Sequence, residues 1–110
     1  MDKLIKALYD ELENREFTKI PGKYPIFEKV FEVRTAPQSI VVNGRVFDQE
    51  SATIVTKTTV DNMGVGDVSG TKFLMIKFEV YQDNILKVSF CQNFYDDELD
   101  VIINILDQIS

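Results

Sequence analysis

The stretch "TKFLMIKFEVYQDNILKVSFCQ" (71–92) contains two runs in which apolar and polar side chains alternate. Alternation with a period of two is typical of a β-strand that buries one face. In each run a series of even-numbered positions is apolar throughout: Leu74, Ile76, Phe78 and Val80, then Leu86, Val88 and Phe90. The stretch therefore predicts an antiparallel hairpin that contributes one apolar face to a sheet.

The same alternation restricts how the two strands of this hairpin pair. Because both apolar sets have even numbers, the numbers of two facing residues must add up to an even number. The tightest solution pairs Phe78 with Val88 and leaves a three-residue turn at 82–84. It also places Glu79 opposite Lys87, which is a favourable pair of charges.

Upstream of this hairpin the chain contains further short β-branched runs. Asn43-Gly44 lies between two of them and predicts a two-residue hairpin turn, because both turn positions need a positive φ. Every connection between the runs is too short for a crossover helix, so the strands are expected to be antiparallel. The expected strands are 26–34, 39–42, 45–48 and 52–60.

Amphipathic segments at the two ends predict helices at 2–14 and 95–109. Asp2 is expected to cap the first helix, and the acids that begin the second are Asp96, Asp97 and Glu98. We expect one α+β domain over residues 1–110, in which an antiparallel sheet of five or six strands carries the N-terminal and the C-terminal helix on one face.

Composition restricts the class of partner. The formal net charge is −6, from 18 acidic and 12 basic residues, which argues against nucleic acid as a ligand. The same charge fits a basic protein partner or serves only solubility. No apolar run approaches the roughly 20 residues that span a bilayer, so no membrane is expected. A single cysteine fits a cytoplasmic protein.

Residue types also restrict the chemistry. The chain has no histidine, which excludes Ser-His-Asp and Cys-His catalysis and most transition-metal sites. Cys91 is interpreted as a buried or half-buried bystander, because a thiolate nucleophile needs an activating neighbour. We therefore expect a protein that is not an enzyme and that has no cofactor and no metal.

The glycine-rich segment "DNMGVGDVSGTK" (61–72) raises the question of a phosphate site. A phosphate-binding loop needs a helix after its glycines, whereas this segment is followed by a strand pattern, so no nucleotide is expected. It is interpreted as a long flexible connection. As such a loop it is a candidate for contact with a partner, through Met63, Val65 and Asp67.

The odd-numbered face of the 71–81 strand mixes apolar residues with charges. Phe73, Met75 and Tyr81 share it with Lys77 and Glu79. Such a mixture fits a face that meets another protein. The alternatives are that segment 15–25 covers this face, or that the sheet curls on itself. Asp97 and Glu98 offer a second, acidic candidate surface, although helix capping explains the same residues.

These patterns favour a small acidic protein-binding module without catalysis. It would act by occluding a protein partner, as inhibitors, immunity proteins or antidefence proteins do in bacteria or phages. One alternative is a phage or bacterial structural subunit that oligomerises through its sheet. Another is a small dimer of the secretion-chaperone kind.

Overall fold

The computed structural model describes residues 1–34, 38–49 and 53–109. Within these residues there are two helices, α1 (Asp2–Asn14) and α2 (Leu99–Ile109). The strands are β1 (Thr18–Ile20), β2 (Ile26–Arg34), β3 (Gln38–Val42), β4 (Arg45–Gln49), β5 (Thr53–Val68), β6 (Thr71–Gln82) and β7 (Ile85–Phe94).

Five of these strands form one sheet in the order β1-β2-β5-β6-β7, and every neighbouring pair is antiparallel. Strands β3 and β4 form a separate two-stranded sheet between β2 and β5 in the chain, with Asn43 and Gly44 as its turn. The predicted α+β class, the antiparallel sheet of five strands and the two terminal helices are confirmed.

Both helices pack on the same face of the large sheet, called here the helix face. The ring centroids of Tyr9 and Phe27 lie 5.0 Å apart, and the Thr58 hydroxyl donates to the carbonyl of Ile109 at 2.9 Å. These contacts lie over the central strands. The core that they close consists of Leu4, Leu8, Leu12, Phe17, Phe27, Val60, Leu74, Ile76, Phe78, Phe94, Ile102 and Leu106.

The helices cover only part of this face. Val80 is half-buried and Val88 remains 42% exposed, although both continue the apolar row of Phe78 and Phe90. A helix of 13 residues is about 20 Å long, whereas a strand of 12 residues extends about 40 Å. The prediction that Val88 belongs to the core is therefore wrong, because no helix reaches it.

The hairpin of β6 and β7 has the predicted parity but a different register. Phe78 pairs with Phe90 and Val80 with Val88, so the pairing is shifted by two residues from the expected one. The turn has two residues, because Asp83 and Asn84 both adopt positive φ, 49° and 66°.

A β-bulge compensates for the shorter turn. The register shifts after Val80, and Tyr81 then pairs with Leu86, which leaves Lys87 as the extra residue. Leu86 therefore lies on the face opposite the helices and is exposed, instead of in the predicted core. Glu79 faces Ser89 and not Lys87.

The glycine-rich segment is a strand, so the interpretation as a flexible connection is wrong. β5 continues to Val68, and Ser69-Gly70 closes a two-residue turn with φ values of 54° and 83°. A Cβ on Gly66 would approach the ring of Phe73 to 2.3 Å, so this glycine provides the space in which the ring lies across the strand.

A second bulge, between Asn62 and Gly64, bends this long strand and is tied to α1. The side-chain oxygen of Asn62 accepts a hydrogen bond from the Gly64 amide at 2.8 Å. Its amide nitrogen donates to the hydroxyl of Tyr9, also at 2.8 Å. Gly64 has a φ of 101°, which other residues rarely adopt. Asn62 therefore couples the shape of β5 to the position of α1.

The helix ends differ from the expected ones in two places. Met1, and not Asp2, occupies the N-cap position of α1 without a side-chain cap. The second helix begins at Leu99, and the carbonyl of Glu98 accepts its first helical hydrogen bond, from Ile102, at 3.2 Å. The expected start at residue 95 is wrong, since a turn occupies 95–98.

At its C-terminal end α1 closes with a left-handed residue that is not glycine. Phe17 donates to the carbonyl of Leu12, Glu16 donates to that of Glu13, and both N···O distances are 3.0 Å. This is a Schellman motif, in which Glu16 holds the position with a φ of 66°.

We expect Glu16→Gly to raise the free energy of unfolding by about 1 kcal/mol, because it removes the cost of a left-handed conformation at an exposed side chain. Glu13→Gly is the control, and it should lower that free energy by about 1 kcal/mol because the position is helical. Urea denaturation measures both. If both glycine variants destabilise the protein, the motif is not strained at Glu16.

We expect Asn62→Ala to lower the free energy of unfolding by about 2 to 4 kcal/mol, because the Gly64 amide and the Tyr9 hydroxyl both lose their partner. Tyr9→Phe removes one hydrogen bond and should cost about 1 kcal/mol. Denaturation of both single variants and of the double variant measures the coupling. Full additivity would show that Asn62 does not link the bulge to α1.

Candidate protein-binding face

The face of the large sheet opposite the helices, called the outer face, is defined by the register of its strands. No helix of the described chain lies on it. Its residues are Ile26, Glu28, Val30 and Glu32 on β2, Val55, Lys57, Thr59 and Asp61 on β5, Phe73, Met75, Lys77, Glu79 and Tyr81 on β6, and Leu86, Ser89, Cys91 and Asn93 on β7.

One end of the outer face is aromatic. Phe73 and Tyr95 make an edge contact at a centroid distance of 6.2 Å. Tyr24 lies against the other side of this end, because a Cβ on Gly64 would meet its ring at 3.2 Å. Segment 15–25 thus reaches the outer face with the ring of Tyr24, at this end, and the alternative that it covers the whole face is wrong.

The middle of the outer face contains a charged network. Lys77 Nζ lies 3.3 Å from a carboxylate oxygen of Glu79, and the hydroxyl of Tyr81 donates to the other oxygen at 3.0 Å. Lys57 Nζ lies 4.8 Å from the centre of the Tyr81 ring. The hydrogen bonds to Glu79 raise the pKa of both Lys77 and Tyr81, so both side chains hold their protons more firmly.

Two polar groups beside this network have no hydrogen-bond partner within the described part of the chain. They are the hydroxyl oxygen of Thr59 and one carboxylate oxygen of Asp61, and both atoms are shielded from solvent. Thr59 is 8% exposed. Partial burial raises the pKa of Asp61, while the nearby Lys77 opposes that shift. Shielded groups without partners cost stability.

The register of the strands gives the neighbours of Thr59. This residue lies between Glu28 on β2 and Glu79 on β6. By register the outer face has the carboxylates of Glu28, Glu32, Asp61 and Glu79 against the two lysines Lys57 and Lys77. The face is therefore acidic at its centre.

The structure brings together one of the three predicted groups of contact residues. Phe73, Met75 and Tyr81 all lie on the outer face and are half-buried. Their role in partner contact stays a prediction. Met75 and Tyr81 are the residues on this face of β6 that lie next to Lys77 and Glu79, which face Asp61 and Thr59. The sequence pattern identified this face because it combines large apolar residues with charges.

The candidates from the glycine-rich segment are not brought together. Met63 is the extra residue of the bulge, and Val65 shares the helix-face register of Leu74. Asp67 accepts a hydrogen bond from the Gly70 amide at 2.9 Å. All three are exposed, but they belong to a strand and its turn and not to a contact loop.

The acidic candidates before α2 have different environments. Glu98 accepts a hydrogen bond from the Tyr95 amide at 2.9 Å, which closes the turn before the helix. Asp97 is exposed in the turn before the helix.

Cys91 is also exposed, and the prediction of a buried or half-buried thiol is wrong because β7 is an edge strand with an uncovered outer face.

Comparison with models of known protein families, with curated proteins and with solved structures found no match for this chain. In residues 1–34, 38–49 and 53–109 no group of three acidic or cysteine side chains is placed to hold a metal ion. Neither described helix has the length and apolar character that crossing a bilayer requires.

We expect Asp61→Asn to stabilise the protein at pH 7 and to make little difference near pH 3. The pKa of Asp61 is raised in the folded state, so the protonated carboxyl favours folding. This stabilisation is complete below the pKa of the unfolded state and is lost as the pH rises through the pKa of the folded state. Urea denaturation at a series of pH values measures this difference.

Thr59→Val is the control for this pH series, because it removes a second unpartnered group that does not titrate. Its effect on stability should be the same at every pH. If the difference in the free energy of unfolding between Asp61→Asn and the parent protein is the same at pH 3 and at pH 7, the pKa of Asp61 is not raised.

Proposed function

We propose that this protein is a non-catalytic protein-binding module that receives a basic segment of a protein partner on its outer face and so occludes that segment. The observation that carries the proposal is the pair formed by Thr59 and Asp61, whose shielded oxygen atoms have no partner in the described chain. Groups that lower the stability of the free protein are typical of binding surfaces, where a partner satisfies them.

The chemistry of the face indicates a cationic partner group. An ionised carboxylate only accepts hydrogen bonds, and a threonine hydroxyl accepts as well as donates, so the missing partner is a donor. Carboxylates outnumber lysines around the pair, which favours an arginine or a lysine as that donor. The rings of Tyr24, Phe73 and Tyr95 lie at one end of the face, where the apolar neighbours of such a residue would pack.

Residue chemistry also supports a role without catalysis. The chain has no histidine, which is the side chain that most often serves as a general base. We place the protein in the cytoplasm, because one cysteine requires no oxidising compartment. Inhibitors and immunity or antidefence proteins of bacteria and phages are the class that acts by occlusion.

A second candidate function is an assembly subunit that oligomerises through its sheets, and the molecular shape favours it. The radius of gyration is 18.8 Å, whereas a compact chain of this length has about 13 Å. The β3–β4 hairpin exposes Val41 and Val46 on one face and Val42 and Phe47 on the other. An isolated two-stranded hairpin is marginal alone, so a neighbouring subunit would stabilise it.

The test of the proposed function compares five proteins, namely the parent, three variants of the outer face and one control. Each is assayed for binding to the partner retained from an extract of the cell that produces this chain. Thr59→Val removes the hydroxyl acceptor, and Asp61→Asn removes the negative charge that the cationic donor of the partner would meet. Both variants should therefore weaken binding roughly tenfold or more. Met75→Asp should also weaken it, since it adds a charge beside the contact. Calorimetry with the identified partner measures the dissociation constants.

Glu13→Gln is the matched control, because it neutralises an exposed acid on α1, on the other side of the sheet. It should leave the affinity unchanged. Thr59→Val and Asp61→Asn are expected to be at least as stable as the parent protein, so weaker binding would not reflect unfolding. If they bind as tightly as the control, or if no partner is retained, the proposed function is wrong.

A further inference from the structure

Strand β7 forms one edge of the large sheet, and this edge is open. Apart from Phe90 and Phe94, all of its residues are exposed. Helix α2 follows β7 in the chain but ends over the sheet centre, where the carbonyl of Ile109 meets the hydroxyl of Thr58 on β5. No strand of the described residues pairs with the outer side of β7, so the backbone groups on that side, away from Phe94, have no strand partner within this part of the chain.

This edge lacks the features that normally prevent strand pairing. β7 contains no proline and a single charged residue, Lys87, and its bulge lies at the far end beside Leu86. The opposite edge is protected differently. There β1 is three residues long and is followed by Pro21, and the uncovered part of β2 has the charges of Lys29 and Glu32.

We propose that β7 pairs antiparallel with β7 of a second copy of this chain, around a two-fold axis at Ser89, so that two five-stranded sheets become one sheet of ten strands. This proposal is independent of the proposed function, because it rests on backbone pairing at the edge of the sheet and not on the Thr59–Asp61 pair. The pairing of identical segments is the simplest closed form of strand addition.

The sequence of β7 is self-complementary around Ser89. Apolar residues flank it on both sides, Val88 and Phe90, and both lie on the helix face. In the proposed register each Val88 faces Phe90 of the second copy, which extends the apolar row of Phe78 and Val80 across the axis. A shift by one residue would place these side chains on opposite faces.

Charge is consistent with a second copy as the occupant. The one charge of the strand, Lys87, faces Cys91 of the second copy in this register, so no like charges stand opposite each other. The exposed Val88 and the half-buried Phe90 would both be further buried by the other chain. An interface of this extent belongs to the small class, so dissociation is expected at micromolar concentration.

Sedimentation of the full chain between micromolar and several hundred micromolar concentration tests the proposal. The parent protein should change from monomer to dimer. Ser89→Lys and Ser89→Asp each place identical charges opposite one another on the axis and should raise the dimer dissociation constant roughly tenfold or more. An equimolar mixture of these two variants should recover the dimer, because the charges are then opposite. Circular dichroism checks that each variant is folded.

Disulfide trapping tests the register. In a Cys91→Ser background, Ser89→Cys should form a covalent dimer under mild oxidation, because each cysteine would face its own copy. Asn93→Cys in the same background is the control, since the two cysteines would lie about 27 Å apart along the strands.

A parent protein that remains monomeric at all of these concentrations overturns the proposal. The candidate for pairing with this edge would then be a strand of another protein. A dimer that neither charge at Ser89 weakens also overturns it. Trapping that is equally efficient at Asn93 would contradict the two-fold axis at Ser89. A failure of the outer-face variants to affect partner binding would not change any of these results.

Discussion

The structure depends on a mismatch between the lengths of its helices and of its strands. The helices have 13 and 11 residues, whereas β5 and β6 have 16 and 12. Because a strand rises more than twice as far per residue as a helix, two short helices close a core over one part of one face. The far end of the helix face remains open for this reason, and the outer face remains open because both helices pack on the other side of the sheet.

The sequence predicts the fold wherever one local pattern determines it. Asn43-Gly44 forms the turn that it predicts, and the even-numbered apolar positions of β6 and β7 share a face up to Val88. The position of Leu86 was predicted wrongly because two hairpins fit the same pattern, one with a two-residue turn and a bulge and one with a three-residue turn. Only a small difference in backbone preference at Asp83 and Asn84 separates them. The Ser69-Gly70 turn is not evident from the sequence, because Gly64 and Gly66 before it give the whole segment the composition of a loop.

The candidate site was predictable in one respect only. Phe73, Met75 and Tyr81 follow from the alternation of a single strand, which the sequence displays. Thr59 and Asp61 do not, because their property is the lack of a hydrogen-bond partner, and this depends on which side chains three neighbouring strands place around them. Tyr24 reaches the outer face from a segment that is distant in sequence, and no local sequence pattern predicts this contact.

The two-residue turns have a consequence for the way in which the chain folds. Ser69-Gly70 and Asp83-Asn84 join β5, β6 and β7 into a continuous meander, so most of the pairings in this half of the sheet can zip outward from adjacent residues. Closing such short loops costs little chain entropy and takes microseconds. The pairing of β2 with β5 has to bring together residues as far apart as Ile26 and Asp61, so we expect it to be the slower step of folding.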